Sequence, residues 1–199
     1  MRTYASRTAF PIQGAKQGFP IGIWGIWMAL AVLVAFLGAL VVSVIYLYWG
    51  QEAWPPPGFV APPLARGTGA LALAFVAAPL TFVALRLIRA GHERTSGHVL
   101  FAALLAGLGS LGLLVADLVL APWAWDEHVY TSLFWVMVGV AATFVAVSSL
   151  MVAAVLVQRI AGAVDRGRHL ELEVTAVFWL FTLLTVLSAY GSVHLLPYR

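Results

Sequence analysis

The stretch IGIWGIWMALAVLVAFLGALVVSVIYLYW, Ile21 to Trp49, decides the fold. It carries no charged side chain. It exceeds the ~20 residues that an α-helix needs to cross the ~30 Å hydrocarbon core of a bilayer. Four more apolar runs follow at residues 67–85, 99–116, 131–157 and 174–193. Read together, they predict an all-α membrane protein of five transmembrane helices in an open or V-shaped bundle. The expected layout is a cytoplasmic N-terminal segment at 1–19, a membrane domain at 20–196 and an external tail at 197–199.

The composition agrees. Hydrophobic residues make up 62% and charged residues 10% of the chain, against about 25% charged in a soluble domain. The mean hydropathy is +0.96. The net charge of +3 does not point to nucleic acid, because the basic residues lie in short loops and read as topology signals. Nine of the 11 Lys and Arg (Arg2, Arg7, Lys16, Arg86, Arg89, Arg94, Arg159, Arg166 and Arg168) fall on one side of five crossings. Only Arg66 and Arg199 fall on the other. The positive-inside rule then puts the N-terminus in the cytoplasm and the C-terminus outside. The apolar run after Lys16 is too long for the core of a cleavable signal and is read as the first helix. Cysteine is absent, so this sequence has no disulfide and no thiolate ligand for a metal.

Inside the spans the sequence offers little chemistry. No paired carboxylates, His pair or Lys stands at mid-membrane depth, and the chain is read as doing no chemistry alone. Asp117 is the one carboxylate clearly within a span. Pro122 follows soon after, which puts Asp117 near the outer interface. An intramembrane acid marks a functional site by default. At this depth a structural hydrogen-bonding role is read in preference to proton exit. The histidines His92, His98 and His169 fall at the cytoplasmic side, and His128 and His194 at the external side. The last two are read as solvated loop residues, not metal ligands. Arg86 and Arg89 end the second span, where long basic side chains snorkel to phosphates; both are candidate lipid-binding residues. Glu171 and Glu173 open the last helix, where carboxylates suit the positive end of its dipole.

Small residues recur at four-residue spacing, which lets helix backbones approach closely in lipid. Examples are Ala70, Ala74 and Ala78; Ala103 and Gly107; Gly112 and Ala116; and Gly139 and Thr143. Pro79 interrupts the second span and predicts a kink. The aromatic residues Tyr46, Tyr48, Trp49, Trp54, Trp123, Trp125 and Tyr130 flank outer helix ends and read as an interfacial belt. The loop through Trp54, Pro55, Pro56, Pro57 and Gly58 to Pro62 and Pro63 is rich in residues with fixed φ and no amide donor. It predicts a stiff polyproline-II arm with a turn at Gly58, lying across a protein surface.

Three of these segments together resemble subunit III of the haem-copper terminal oxidases, the cytochrome c oxidase family. The first is Trp24, Gly25, Ile26 and Trp27 in a helix ending Tyr46, Leu47, Tyr48, followed by Trp54, Pro55, Pro56, Pro57 and Gly58. The second is Tyr130, Thr131, Ser132, Leu133 and Phe134 with Gly139 further on. The third is Val177, Phe178, Trp179, Leu180 and Phe181. The likeness spans roughly residues 20–196 and fits a divergent five-helix form. The chain departs from the family where it lacks a glutamate around Ala31 to Val34, the histidine pair near Val138 to Thr143, and a His-Phe-Val-Asp segment at Leu172 to Thr175.

The resemblance implies a non-catalytic accessory subunit in a bacterial-type cytoplasmic membrane. It would pack against the catalytic oxidase subunit and other respiratory subunits and hold phospholipids. It would carry no cofactor itself, with haem and copper in its partners. The residues Trp54, Pro55, Pro56, Pro57, Gly58 and Gly139 are then candidates for the subunit interface. The alternatives are the matching component of a nitric oxide reductase and, in a different class, a small membrane transporter. A transport path would draw on Ser43, Thr81, Ser110, Thr143, Ser148, Ser149, Thr182 and Thr185.

Overall fold

The structure is a computed structural model that describes residues 21–60, 62–162, 164 and 169–196. The sequence-based readings at Arg2, Arg7, Lys16, Arg166, Arg168 and Arg199, and the two terminal segments, lie outside the described residues. The helices are α1 (Ile21–Trp49), α2 (Leu64–Arg89), α3 (Glu93–Val119), α4 (Val129–Ile160) and α5 (Leu170–Tyr190). A π-helical turn, Gly191–Leu195, continues α5. Each of the five spans is long and apolar enough to cross a bilayer, and no strand occurs among the described residues. At 1.5 Å per residue even a 26-residue helix reaches about 39 Å. The helix ends therefore stand at or beyond the interfaces.

The short connections make neighbouring helices antiparallel. Between α2 and α3 the chain turns in three residues, Ala90, Gly91 and His92. Gly91 has φ +84°, a left-handed conformation that terminates helices with little strain only at glycine. Its N–H donates to the Ile88 carbonyl at 3.0 Å, and the His92 N–H donates to the Leu87 carbonyl at 2.9 Å. At the start of α4, His128 Nδ1 accepts from the Tyr130 N–H and Thr131 Oγ1 accepts from the His128 N–H, each at 3.1 Å. This reciprocal cap satisfies donors that a helix start otherwise leaves open. It also gives His128 a definite structural role in place of the solvated one expected.

The bundle has two distinct ends. The α1–α2 loop, the α3–α4 loop and the π-turn share the proline end. The α2–α3 and α4–α5 connections share the arginine end. Helices α2, α3, α4 and α5 each pack on two neighbours and close a ring. Its interior is filled by Ala70, Ala74, Ala78, Leu100, Val145 and Trp179, among others. The small-residue stripe of α2 faces inward as its spacing suggests: Ala70, Ala74 and Ala78 are fully or nearly fully buried. Close approach lets Ser110 Oγ of α3 donate to the Ala70 carbonyl of α2 at 2.8 Å. Gly112 and Gly139 instead face open space.

Helix α1 stands outside this ring, against α4, α5 and the π-turn. Leu30 and Leu37 meet Phe178 and Phe181 there. Its other face presents Trp24, Trp27, Met28, Val32 and Phe36 outward. The openness expected of the bundle is confined to this helix. Pro79 lies within α2 without ending it.

The proline loop differs from the extended arm expected. It is bent, with a cis Trp54–Pro55 peptide bond and a turn closed by the Phe59 N–H donating to the Pro56 carbonyl at 3.1 Å. Gly58 in that turn has φ +95°, as the sequence suggested. The loop folds back onto this chain's own helices. The Trp54 ring meets Tyr130 edge to face at 5.1 Å and Tyr48 at 5.9 Å. Trp123 joins them through Tyr130 and Phe134. Four of the seven residues of the expected aromatic belt thus form a packed cluster. Tyr46, Trp49 and Trp125 remain exposed as belt residues.

Candidate functional site

Three ionisable side chains from three elements meet at the proline end. Helix α2 begins at Leu64 and α3 ends at Val119, so Arg66 and Asp117 are each third from that end of their helices. They stand at matched depth on the most closely packed helix pair. Arg66 Nε lies 2.8 Å from Asp117 Oδ1. The Arg66 Nη1 also donates to the Ala116 carbonyl at 3.4 Å. The Asp117 side chain has no exposed surface and Arg66 keeps 23%.

His194 comes from the π-turn. Its Nε2 is 3.6 Å from Asp117 Oδ2, and its side chain is 3% exposed. That overturns its reading as a solvated loop histidine. The continuation of α5 as a helical turn carries it back into the bundle. Gly67 makes the room: a Cβ there would lie 2.6 Å from His194 Cδ2, inside van der Waals contact. Tyr190, one helical turn earlier, stacks on the imidazole at 5.4 Å. The Tyr190 hydroxyl lies within hydrogen-bond distance of Thr68 Oγ1, at 3.1 Å. The π-turn is therefore fastened to the start of α2 by two side chains.

A buried ion pair is costly to desolvate and strongly destabilising to break. The arrangement thus ties α2 to α3 at one depth, with the imidazole completing its inner side. Asp117 has the helix partner expected of it, as an ion pair to Arg66. His128 does not join this cluster, being engaged as the α4 cap. Among the described residues no group of three or more His, Cys, Asp or Glu side chains stands together in a way that would hold a metal.

The other sequence candidates fall elsewhere. Arg89 at the arginine end donates through Nη2 to Glu173 Oε2 at 2.9 Å and through Nε to His169 Nε2 at 3.2 Å. It fastens α2 to the start of α5, which gives Glu173 an interhelical partner. Arg86, one turn earlier, is exposed. It closes one end of a groove of about 440 Å³ between α2 and α5, floored by Ala78, Pro79, Phe82, Leu180 and Leu183. Of the two arginines, Arg86 is the one whose charge faces a groove. Gly139 sits on an open face of α4.

Sequence reasoning passed over Arg66 and His194. Counting Arg66 as a loop charge hid it, because the helix starts three residues before the apolar run does. The available signal was an Arg and an Asp at equivalent depth on sequential, antiparallel spans. Comparison with known proteins yields no matching family model and no match among curated proteins.

Proposed function

We propose that this chain is a non-catalytic accessory subunit of a respiratory haem-copper oxidase, of the subunit III kind, with its N-terminus in the cytoplasm of a bacterial-type cell. The observation that carries this reading is where the resembling segments lie. Trp54 of the first segment and Tyr130 of the second are 76 residues apart in sequence, and their rings stand 5.1 Å apart. Trp179 of the third is fully buried in the same helical ring. Motifs that pack together are what a shared scaffold would require.

The hydroxyls that a transport path would need favour this reading over a transporter. All but Ser149 of the eight candidates are bonded to a backbone carbonyl of their own or a neighbouring helix, or to each other. Ser148 and Thr182 pair at 2.7 Å. The outward face of α1, which no other described part of the chain covers, is the natural place for a catalytic partner's helix to lie.

The test is gentle solubilisation of a tagged chain, followed by absorbance spectroscopy and partner mass determination. A haem-bearing catalytic subunit at a stoichiometric ratio is the expected result. Isolation of the chain alone, under conditions that keep respiratory complexes whole, contradicts it.

Lipid holding belongs to the same proposal. The groove below Arg86 runs from Phe75 to Arg86 along α2, about 16 Å at 1.5 Å per residue. That is close to half the ~30 Å hydrocarbon core, the depth of one acyl chain. Arg86 stands where the phosphate of that chain would lie. Arg86→Gln should lower the anionic phospholipid that stays with the purified chain, whereas unchanged lipid content removes this part of the proposal.

A further inference from the structure

The Arg66–Asp117 pair forms part of the wall of a cleft at the proline end. The cleft has a volume of about 260 Å³ and is also lined by Val60, Pro62, Leu120 and Trp123. Val60 and Leu120 are exposed, so it opens at the surface. A liquid water takes about 30 Å³, and the space admits a much larger group.

Apart from Asp117, the polar side chains in this wall, Arg66 and Trp123, are donors. Guanidinium carries five N–H donors and no acceptor. Two of its nitrogens face Asp117 and the Ala116 carbonyl, and 23% of the Arg66 side chain remains exposed. Trp123 is 7% exposed, and its indole N–H, a donor only, has no hydrogen-bond partner. The one carboxylate, Asp117, is buried behind Arg66 and already faces its charge. To pair the side-chain donors of Arg66 and Trp123, a ligand here must supply an acceptor. The ion pair leaves the site close to neutral, so an uncharged acceptor fits better than an anion that would compete with Asp117. The remaining wall is apolar, which suits a hydrocarbon body.

We propose that this cleft binds a bilayer amphiphile through a neutral carbonyl oxygen, which accepts from the exposed edge of Arg66. The cleft lies at a helix end, at interfacial depth. Two bilayer constituents bring such an oxygen to that depth: the ester carbonyl of a phospholipid and the ring carbonyl of an isoprenoid quinone. The site is distinct from the Arg86 groove at the opposite end, and the proposal does not rest on the oxidase reading.

The test uses the full chain with a benzophenone photoprobe at Leu120. A control set carries the probe at Tyr46, 76% exposed near the same end of α1. Each is placed in nanodiscs of diether phosphatidylcholine, of diester phosphatidylcholine, and of diether lipid containing a short-chain benzoquinone. Adducts are counted by mass spectrometry. The ratio of lipid or quinone adduct at Leu120 to that at Tyr46 should exceed the ratio of lipid adducts in the diether-only membrane about tenfold, the effect of one hydrogen bond to a charged donor. Enrichment with diester lipid identifies the ester as the source; enrichment confined to the quinone membrane identifies the ring ketone. Equal ratios in all three membranes overturn the proposal. Because Arg66 also holds Asp117, the blocking variant is Val60→Trp, which fills the mouth and leaves the pair intact. It should abolish the enrichment, and enrichment that persists overturns the proposal as well.

Discussion

At the scale of single residues, the decisive feature is the charge pair buried between α2 and α3. Asp117 has no exposed side-chain surface and depends on Arg66 for its counter-charge. Asp117→Asn should leave the mostly buried Arg66 side chain without its counter-charge and lower the stability of the chain by about 3–5 kcal/mol. Replacing both partners with leucine should recover most of that loss, because removing the pair also removes its desolvation cost. Unfolding of the two variants in mild detergent measures the difference, and a double variant no more stable than the single would show that the pair is not coupled. Asp117 was legible in the sequence as an unusual acid. Its partners were not, because hydropathy marks where a span is apolar, while Arg66 lies in the helix just before that point. His194 was hidden for another reason. The backbone after Tyr190 widens into a π-turn instead of leaving the bundle, and Gly67 admits the ring from a helix 127 positions earlier. Neither is a local pattern.

At the scale of elements, the spans were the most readable part. Each apolar run became a helix, usually extended by a few polar or charged residues at its ends, since hydrogen-bonded backbone continues into the interface. The proline loop shows the opposite. Fixed φ angles pointed to an extended arm, yet Trp54 packs on Tyr48 and Tyr130 and the loop bends to follow it. The contact between distant aromatics overrode the local preference. Trp54→Ala should therefore destabilise the isolated chain, by about 1–3 kcal/mol for a half-buried aromatic anchor. Thermal unfolding without any partner reads this directly. An isolated chain of unchanged stability, combined with a loosened complex, would instead make Trp54 a contact for another subunit.

At the scale of the whole molecule, a four-helix ring is pinned by charge at both ends and carries α1 on one side. Arg66 with Asp117 holds the proline end; Arg89 with Glu173 and His169 holds the arginine end. The five helices are long and apolar enough to cross a membrane, which would set these ends at its opposite faces. The distribution of Lys and Arg predicts which face is cytoplasmic, and the chain's lack of cysteine offers a direct check. Single cysteines at Gly58, Arg94 and Glu127, treated with a membrane-impermeant thiol reagent in sealed right-side-out vesicles, measure the sidedness of three connections. The account predicts labelling of Gly58→Cys and Glu127→Cys from outside, with Arg94→Cys labelled only after the vesicles are opened. Labelling of Arg94→Cys and Gly58→Cys from the same side would contradict it, because α2 would then not cross the bilayer.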